Sequence, residues 1–412
     1  MTDRAVHIPF AEMDPTMRSL LTYENNGAMD VACPWAGLVD IVRDTPVVRW
    51  DMGVGFFSMA DVVAVGNHPA VVSANPVTHE AMGMGSREPL IPLHLDGDAH
   101  RHYRKLIDPL LAPRQVAVYE EGFRRLADEL IDGFIADGEV DLQTRYAIPL
   151  PATMFMQIFG APMEDLQFFI EMKDNILKAE GLTLEEREIE GRLSGDRLRV
   201  RLREILAERR AAGTHQDDLI TKFMTWELDG HRFSDDDIVN VMHLFVIAGL
   251  DTVTSSIGCL VGWLATHPVH RQQLFDDPAL IPHAVEELMR YQSPVNVGGP
   301  RWATEDFEVN GVSVKQGDML LLGWWTANLD PAVFTDPLTV DFTREANRHA
   351  AYAAGRHRCL GSHLARLELR VAIEQFHRRV TDYSLAPGAD PQYKWEGVRA
   401  PATLPIVFSA RQ

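Results

Sequence analysis

A long apolar run near the middle of the chain constrains the fold more than any other segment. It covers residues 238–265 and reads IVNVMHLFVIAGLDTVTSSIGCLVGWLA. Ser234 is a suitable N-cap, and the aspartates at 235–237 suit the first turn of a helix. The run is long enough to span a bilayer, but Asp251 would then lie near the bilayer centre at a cost of about 2.5–3.5 kcal/mol. Because neither flank carries a Lys/Arg cluster, the run predicts a long helix through the centre of a soluble protein.

The composition of the chain indicates which binding partners and which cellular compartment are to be expected. A net charge of −20 argues against nucleic acid or an anionic membrane as the partner, since both require a basic face. The N-terminal stretch MTDRAVHIPFAEMDP has no basic n-region and no apolar h-region, so we expect no signal peptide and no membrane anchor. Three cysteines, Cys33, Cys259 and Cys359, cannot build a disulfide framework and favour a cytoplasmic location.

Periodicity in the rest of the chain indicates a mainly helical protein. Helical patterns dominate from about Pro113 onward, and a strongly charged stretch over residues 182–212 predicts a long exposed helix. Short strand patterns cluster near both ends, at residues 47–50, at 306–314 around an Asn310-Gly311 turn, and at 404–408. Since no repeat or low-complexity linker divides the chain, we expect one domain over residues 1–412, mainly α with small β-sheets.

One turn of the predicted central helix has an unusual composition. The residues from Ala248 to Thr252, AGLDT, place a glycine, an acid and a hydroxyl together. Glycine weakens a helix, and Thr252 can bond back to a carbonyl of the preceding turn. The turn therefore predicts either a functional polar site or a buried polar pair that its neighbours satisfy.

A lone cysteine near the C-terminus lies in an equally unusual setting. The stretch YAAGRHRCLG, residues 352–361, precedes the amphipathic pattern SHLARLELRVAIEQFHRRV, so Cys359 should lie at a helix start, where N–H groups stabilise a thiolate. Gly355 and Gly361 would let the backbone approach a flat ligand. Zinc is a competing interpretation, but it lacks a second nearby cysteine and its spacings match no common zinc pattern; its candidate ligands are His349, His357, Cys359 and His363.

This loop resembles the cysteine-ligand signature of the cytochrome P450 family, Phe-x-x-Gly-x-His/Arg-x-Cys-x-Gly. The matching residues are Gly355, His357, Cys359 and Gly361. Tyr352 replaces the usual Phe and Ala353 a frequent Gly, so the loop packing is expected to differ. The resemblance implies the P450 fold, with haem b buried between the long central helix and this loop and Cys359 as the axial iron ligand.

Further motifs are similar to those of the same family, in the expected order. The AGLDT turn resembles the oxygen-activation motif, which implies that Asp251 and Thr252 relay the two protons that O–O cleavage needs. The stretch from Glu287 to Arg290 is similar to the ExxR pair, and the resemblance implies that Arg344 completes that ion-pair network. Leu329 departs from the usual Asn-Arg-Asp-Pro, which puts the local contact of that Arg in doubt.

The resemblance also implies residues for haem and substrate. Haem carries two carboxylates, and burying them unpaired would cost several kcal/mol each. The implied donors to them come from distant parts of the chain: His100, Arg104, Arg301 and His357. The implied substrate positions are apolar and Met-rich, which suits a hydrophobic ligand: Met82, Met84, Leu90, Leu244, Ile247, Ala248, Val295 and Val297.

The implied activity is monooxygenation, in which R–H, O2, two electrons and two protons give R–OH and water. A terpenoid, steroid or fatty-acid-like substrate is expected. With no G-x-G-x-x-G fingerprint and no room for a fused reductase, electrons should come from a separate ferredoxin or flavodoxin with its reductase. A basic patch is predicted to dock this donor, formed by Arg101, Lys105, Arg356 and Arg358.

Two alternatives share parts of this site. A peroxide-driven peroxygenase would use the same Cys359 loop but would not need Asp251 and Thr252. A haem-binding sensor or carrier, which is not an enzyme, would explain the haem carboxylate donors equally well. Turnover with a surrogate ferredoxin and reductase distinguishes these alternatives from a monooxygenase.

Overall fold

The computed structural model describes residues 3–22, 30–77, 84–177, 183–213, 216–295, 299–395 and 398–411. These residues form two compact units. The first unit comprises Met1–Val71, Glu120–Leu150 and Thr252–Gln412, and the second comprises Val72–Tyr119 and Pro151–Asp251. The boundary between the units falls inside the central helix, between Asp251 and Thr252.

Helices predominate, and they are labelled α1 to α15 in chain order. Their bounds are α1 Pro15–Thr22, α2 Trp35–Asp44, α3 Met59–Asn67, α4 Gly97–Ile107, α5 Pro113–Val116, α6 Glu120–Asp132, α7 Pro149–Phe159, α8 Leu166–Leu177, α9 Leu184–Ala212, α10 Leu219–Thr225, α11 Asp235–Thr266, α12 Pro268–Asp276, α13 Ile281–Gln292, α14 Trp324–Asn328 and α15 Ser362–Arg379. The predicted long charged helix is α9, which a Thr183–Glu186 capping box starts and Gly213 ends in the left-handed conformation.

The strands are short, as the sequence predicts. Their bounds are β1 Val6–His7, β2 Val47–Trp50, β3 Gly53–Phe56, β4 Val71–Val72, β5 Glu139–Asp141, β6 Glu227–Leu228, β7 His231–Arg232, β8 Arg301–Ala303, β9 Phe307–Val309, β10 Val312–Val314, β11 Met319–Leu322, β12 Val380–Leu385, β13 Tyr393–Trp395, β14 Arg399–Pro401 and β15 Pro405–Ala410. The largest sheet has the order β1-β2-β3-β11-β8-β4, and a three-stranded sheet has the order β12-β15-β5. The Asn310-Gly311 hairpin is confirmed, with φ of 48° and 75° at its two turn residues, as a type I′ turn requires.

The central apolar run forms α11, with the predicted N-terminus. Ser234 Oγ accepts from the N–H of Asp237, and the Asp237 carboxylate accepts from the N–H of Ser234, which makes a reciprocal cap. By length and composition α11 could cross a membrane, but 78% of its most apolar 18-residue window is buried inside the protein. It is therefore a core helix, as the position of Asp251 predicts.

An aromatic core in the first unit explains why position 329 is a leucine and not the arginine of the usual Asn-Arg-Asp-Pro motif. Four tryptophans, at 35, 50, 325 and 395, pack there against α1, α2 and β2. Leu329 is fully buried in the same cluster, directly after α14. Since Leu329 packs as an apolar side chain, its position makes no polar contact of the kind an arginine would make.

Two residues of α13 hold the irregular segment that leads to the cysteine loop. Arg290 binds Glu287 through two bonds of 2.8 Å, and both side chains are at most 1% exposed. The Arg290 guanidinium also donates to the carbonyls of Asn328 and Pro337 at 3.0 and 2.9 Å. Arg344 binds the same Glu287 carboxylate at 3.2 Å, so the ExxR residues form a buried network rather than a solvated surface pair.

Candidate active site

The cysteine loop leaves the Cys359 side chain accessible. Cys359 is exposed and lies three residues before Ser362, the first residue of α15. Its N–H donates to the Tyr352 carbonyl at 2.8 Å, which closes the loop on itself. A Cβ at Gly361 would meet no protein atom within 4 Å, so there is open space beside the thiol on the helix side. A ligand of the Cys359 sulfur can therefore approach closely.

Two residues of the loop have positive φ. Gly355 has a φ of 73°, and a Cβ there would lie 2.3 Å from Asn67 Oδ1 at the end of α3. Packing against α3 thus explains this glycine without a ligand, unlike the sequence interpretation. Ala353, at a position where the family often has glycine, has a φ of 55°. This left-handed conformation costs a residue with a Cβ about 1–2 kcal/mol.

The other two cysteines have environments that differ from that of Cys359. Cys259 is fully buried on α11, and burial raises the pKa of its thiol despite a contact with Arg399. Cys33 is exposed before α2, and its N–H donates to the Asp30 carboxylate. Cys359 follows Arg356 and Arg358 closely in the chain, and positive charges favour a thiolate.

A half-buried ionic cluster supports the cysteine loop. Arg366 of α15 binds the carboxylate of Glu286 on α13 through bonds of 2.8 and 2.9 Å. His349 contacts the same carboxylate at 3.1 Å, and the Arg366 guanidinium lies 4.2 Å from the centre of the Tyr352 ring. Tyr352 therefore packs on a cation, which suits the electron-rich face of its ring. The sequence did not single out Glu286 or Arg366, because their pairing is not visible in any local pattern.

The pKa of Glu286 reports the strength of this cluster. Burial opposes its ionisation, but hydrogen bonds from His349 and Arg366 outweigh that effect and hold its pKa at about 2. The carboxylate is therefore ionised at any pH at which the protein would work. The zinc alternative is not supported, because His349 binds Glu286 and the described residues contain no group of three metal-ligating side chains.

The predicted haem carboxylate donors lie on different elements. His100 and Arg104 belong to α4 in the second unit; His100 is buried, and Arg104 pairs with Asp108 at 2.7 Å. Arg301 and His357 belong to the first unit, where Arg301 on β8 is buried and donates to the Gly299 carbonyl at 2.7 Å. The two arginines carry permanent positive charges and the two histidines can donate a hydrogen bond, which suits carboxylates.

The AGLDT turn exposes one face in an otherwise buried helix. Ala248 is exposed and Thr252, one turn later on the same face, is half-buried. A Cβ at Gly249 would lie 2.9 Å from the Phe155 ring, so glycine is needed there for packing within the second unit. Asp251 is buried and accepts a hydrogen bond from Lys173 Nζ of α8 at 2.9 Å. The sequence interpretation missed Lys173, although a lysine inside the apolar face of α8 is a signal for a buried carboxylate partner.

The structure brings part of the predicted substrate set together. His243 Nε2 contacts the Met84 carbonyl at 2.9 Å, and the N–H of Ile91 donates to Asn240 Oδ1 at 2.6 Å. Residues 84–91, including Met84 and Leu90, therefore lie against the N-terminal half of α11, which also carries Leu244, Ile247 and Ala248. Val295 is half-buried beside Val398 in the first unit. Met82 and Val297 lie outside the described residues.

The residues present fit a haem-thiolate site. The exposed Cys359 thiol lies at a helix start with open space at Gly361, which suits a metal-bound thiolate under a flat macrocycle. Four side chains of cationic or hydrogen-bond donor type, described above, suit the two carboxylates of that group. The donor set therefore matches the chemistry of haem b.

Comparison with known proteins places this geometry in a family. The Cytochrome P450 family model matches residues 196–385. The chain is similar to the "Polyketide biosynthesis cytochrome P450 PksS" of Bacillus subtilis, with 32% identity over 76% of each chain. It is also similar to a "Vitamin D(3) 25-hydroxylase" of Pseudonocardia autotrophica, with 33% identity over 77% of each chain. The solved structure of P450BioI with an acyl carrier protein carrying hexadec-9Z-enoic acid has a TM-score of 0.84 and 26% identity, covering 92% of this chain and 98% of that one.

The Glu286 cluster predicts a specific acid sensitivity. The folded pKa of about 2 lies below the ordinary value of 4.5, so the stabilisation is fully present above pH 4.5 and is lost as the pH falls from 4.5 towards 2. Because Glu286 is partly exposed, we expect at most about 3 kcal/mol from it. Urea unfolding of Glu286→Gln should show a shallower loss of unfolding free energy between pH 5 and 3, and Arg366→Met should reproduce it. An unchanged pH slope in both variants would contradict the assigned hydrogen bonds.

Proposed function

The chain belongs to the cytochrome P450 family, and from this premise we propose that it hydroxylates a hydrophobic small molecule with electrons from a separate redox protein. Its relatives are named as P450 hydroxylases, epoxidases and oxygenases, and the chain is a monooxygenase that uses haem b and O2. The observation that carries the proposal is the exposed Cys359 thiol at the start of α15, with open space at Gly361.

The protein's part is to bind, orient and tune the cofactor. Cys359 would ligate the iron, while His100, Arg104, Arg301 and His357 would bind the haem carboxylates. When bound, haem with a thiolate ligand supplies the oxygen activation, because the sulfur pushes electron density towards the iron. The Glu286–Arg366 cluster fixes the loop, so the thiolate does not have to be ordered during turnover.

Asp251 and Thr252 are proposed as the groups that hold and move protons. Thr252 lies on the exposed face of α11, one turn after Ala248, so its hydroxyl can bind a water or a ligand atom at that face. Asp251 is adjacent in the chain, buried and ionisable. A carboxylate next to a hydroxyl provides one group that exchanges protons and one that positions them.

Hydrophobicity of the proposed pocket residues supports the substrate class. Met84, Leu244, Ile247, Ala248 and Val295 are all apolar, and methionine is flexible enough to adapt to bulky apolar ligands. Ala248 is exposed, whereas Leu244 and Ile247 are buried. Of the proteins named above, one is named for polyketide biosynthesis, one is named a vitamin D(3) 25-hydroxylase, and P450BioI was solved with an acyl carrier protein that carries hexadec-9Z-enoic acid. We therefore infer a terpenoid, steroid or fatty-acid-like substrate.

The electron donor is proposed to be a ferredoxin or flavodoxin that works in the cytoplasm. Arg101 and Lys105 are exposed on α4 and could attract an acidic donor. Arg358 is exposed as well, and Arg356 is half-buried, with its guanidinium donating to the Asn67 and His68 carbonyls at 2.6 and 2.7 Å. Both units are proposed to form one catalytic domain, since the P450BioI structure matches 92% of the chain.

Cys359→Ser should abolish the thiolate signature of the haem. The reduced CO complex of the parent is expected to show the strongly red-shifted Soret band of a thiolate ligand, because the sulfur donates electron density to the iron. The matched controls Cys33→Ser and Cys259→Ser should keep that band. If the CO complex of Cys359→Ser keeps the red-shifted Soret band of the parent, another residue is the ligand.

Thr252→Ala should leave substrate binding nearly intact while electrons are diverted to hydrogen peroxide. Asp251→Asn should instead slow O2-dependent turnover by roughly 10²-fold or more, since it removes a titratable group. The rate of product formation measures the effect of Asp251→Asn, and product formed per electron consumed measures that of Thr252→Ala. Thr254→Ala on the same helix is the control. If Thr252→Ala forms as much product per electron as the parent, the relay is wrong; a peroxygenase would predict that result.

Arg101→Glu combined with Lys105→Glu should slow the first electron transfer from an acidic ferredoxin several-fold. The effect should appear in the association rate and shrink with added salt, because screening at 0.15 M ionic strength acts over about 8 Å. Stopped-flow reduction rates test this, and Arg197→Glu combined with Arg203→Glu on α9 is a control with the same charge change. Equal rates in the two double variants would refute docking at α4.

A further inference from the structure

Two nitrogen atoms beside the proposed substrate residues are buried and have no hydrogen-bond partner among the described residues. They are Nδ1 of His243 on α11 and Nη1 of Arg199 on α9. His243 directly precedes Leu244 and lies one turn before Ile247, and both of these are proposed substrate residues. The positive charge of Arg199 acts on the imidazole of His243, so the two groups lie near each other within the second unit.

The hydrogen bond of the other ring nitrogen defines what His243 offers to a ligand. Its Nε2 lies 2.9 Å from the Met84 carbonyl oxygen, and a carbonyl only accepts, so Nε2 carries the ring proton. Burial lowers the pKa of His243 to about 4, so the ring is neutral near pH 7 and Nδ1 has a lone pair. Nδ1 is therefore a hydrogen-bond acceptor without a donor.

Arg199 offers the opposite chemistry. Its Nη2 donates to the Glu88 carboxylate at 3.0 Å, while its Nη1 donates to no described group. The side chain of Arg199 is 11% exposed and that of Glu88 is 68% exposed, so the cation is the buried partner of this pair. A guanidinium keeps its charge and its N–H groups at any pH at which the protein would work. Nη1 is therefore a hydrogen-bond donor without an acceptor.

Packing does not account for these two atoms. A buried polar atom without a partner lowers stability, and an apolar side chain of similar volume would avoid that loss. Neither atom has surface that water reaches in this structure. Residues 84–88 contact both side chains, through the Met84 carbonyl and the Glu88 carboxylate. A ligand that enters between this segment and α11 therefore meets one unpaired acceptor and one unpaired donor.

We infer that His243 and Arg199 bind the hydroxyl group of an otherwise apolar substrate. A hydroxyl donates one hydrogen bond and accepts another, so it suits both the lone pair of Nδ1 and the N–H of Nη1. A carboxylate only accepts, so it would leave Nδ1 unpaired, and it would compete with the Glu88 carboxylate that already binds Arg199. The inference rests on the proposed function and narrows its substrate class to alcohols, such as hydroxylated steroids or terpenoids.

Four probes of equal carbon number test this class on the holoenzyme: cyclododecanol, cyclododecanone, cyclododecane and dodecanoate. Isothermal titration calorimetry measures their dissociation constants, and the shift of the ferric Soret band reports binding at the haem. We expect the alcohol to bind roughly 5–100-fold more tightly than the ketone, because the ketone accepts from Arg199 but leaves Nδ1 of His243 unpaired. The ketone should in turn bind more tightly than the hydrocarbon.

Two substitutions remove the two groups separately. His243→Met removes the acceptor, so the preference for the alcohol over the ketone should disappear, whereas His243→Gln retains a donor and an acceptor and should keep it. Arg199→Met removes the donor, so the preference for the ketone over the hydrocarbon should disappear. His377→Met is the matched control with no change expected, since Nδ1 of His377 is also buried and unpartnered among the described residues but lies on α15 in the first unit.

The affinities of the parent decide the substrate class, whether or not each variant folds. Equal affinities for the alcohol, the ketone and the hydrocarbon, or no binding of any of them, overturn the inference. Tighter binding of dodecanoate than of the alcohol overturns it as well, in favour of a carboxylate at Arg199. Parent-like preferences in both His243→Met and Arg199→Met refute the assignment of these residues. Failure of the proposed function differs from all of these: the alcohol binds with the expected preference but gives no oxidised product with a ferredoxin and its reductase.

Discussion

The buried bonds of one carboxylate, that of Glu287, support much of the first unit. Arg290 and Arg344 both bind Glu287, and the N–H of Asp341 donates to it at 3.0 Å. Arg290 in turn satisfies the carbonyls of Asn328 and Pro337. A segment without regular secondary structure cannot satisfy its backbone groups by itself, so charged side chains do it here. Removing one partner would leave a buried charge uncompensated, at a cost of about 3–5 kcal/mol.

The neighbouring Glu286 performs the same task for the cysteine loop. Consecutive helical residues point about 100° apart, so Glu286 and Glu287 of α13 can serve two different segments. Glu286 binds Arg366 and His349, and Arg366 stacks on Tyr352. Helix α13 thereby holds both the irregular segment that precedes the cysteine loop and the loop itself. A thiolate ligand requires such rigidity, because a displacement of the sulfur would alter its bond to the iron.

The second unit contributes Asp251 to the helix turn where proton transfer is proposed, and Thr252 begins the last segment of the first unit. Within the second unit, residues 84–91 are held against α11 and α9 by polar contacts, including Glu88 with Arg199 and Met84 with His243. Lys173 connects α8 to Asp251 in the same unit. Charged groups that are already oriented in the folded protein do not have to reorient when charge moves during the reaction, so no free energy is spent on that reorientation. Both units thus use buried charges to hold functional residues in place.

The sequence by itself determined the features that depend on local rules. The start of α11 follows from the Ser234 cap, the β9–β10 hairpin from Asn310-Gly311, and the Cys359 loop from its glycines and the amphipathic helix behind it. Tertiary structure alone decided the partners of the buried charges. Lys173 and Asp251 are 78 residues apart, and Glu286 and Arg366 are 80 apart. Such pairs cannot be predicted from periodicity or spacing in the sequence. The two charges come close together, in surroundings of low dielectric constant, only once the helices have packed.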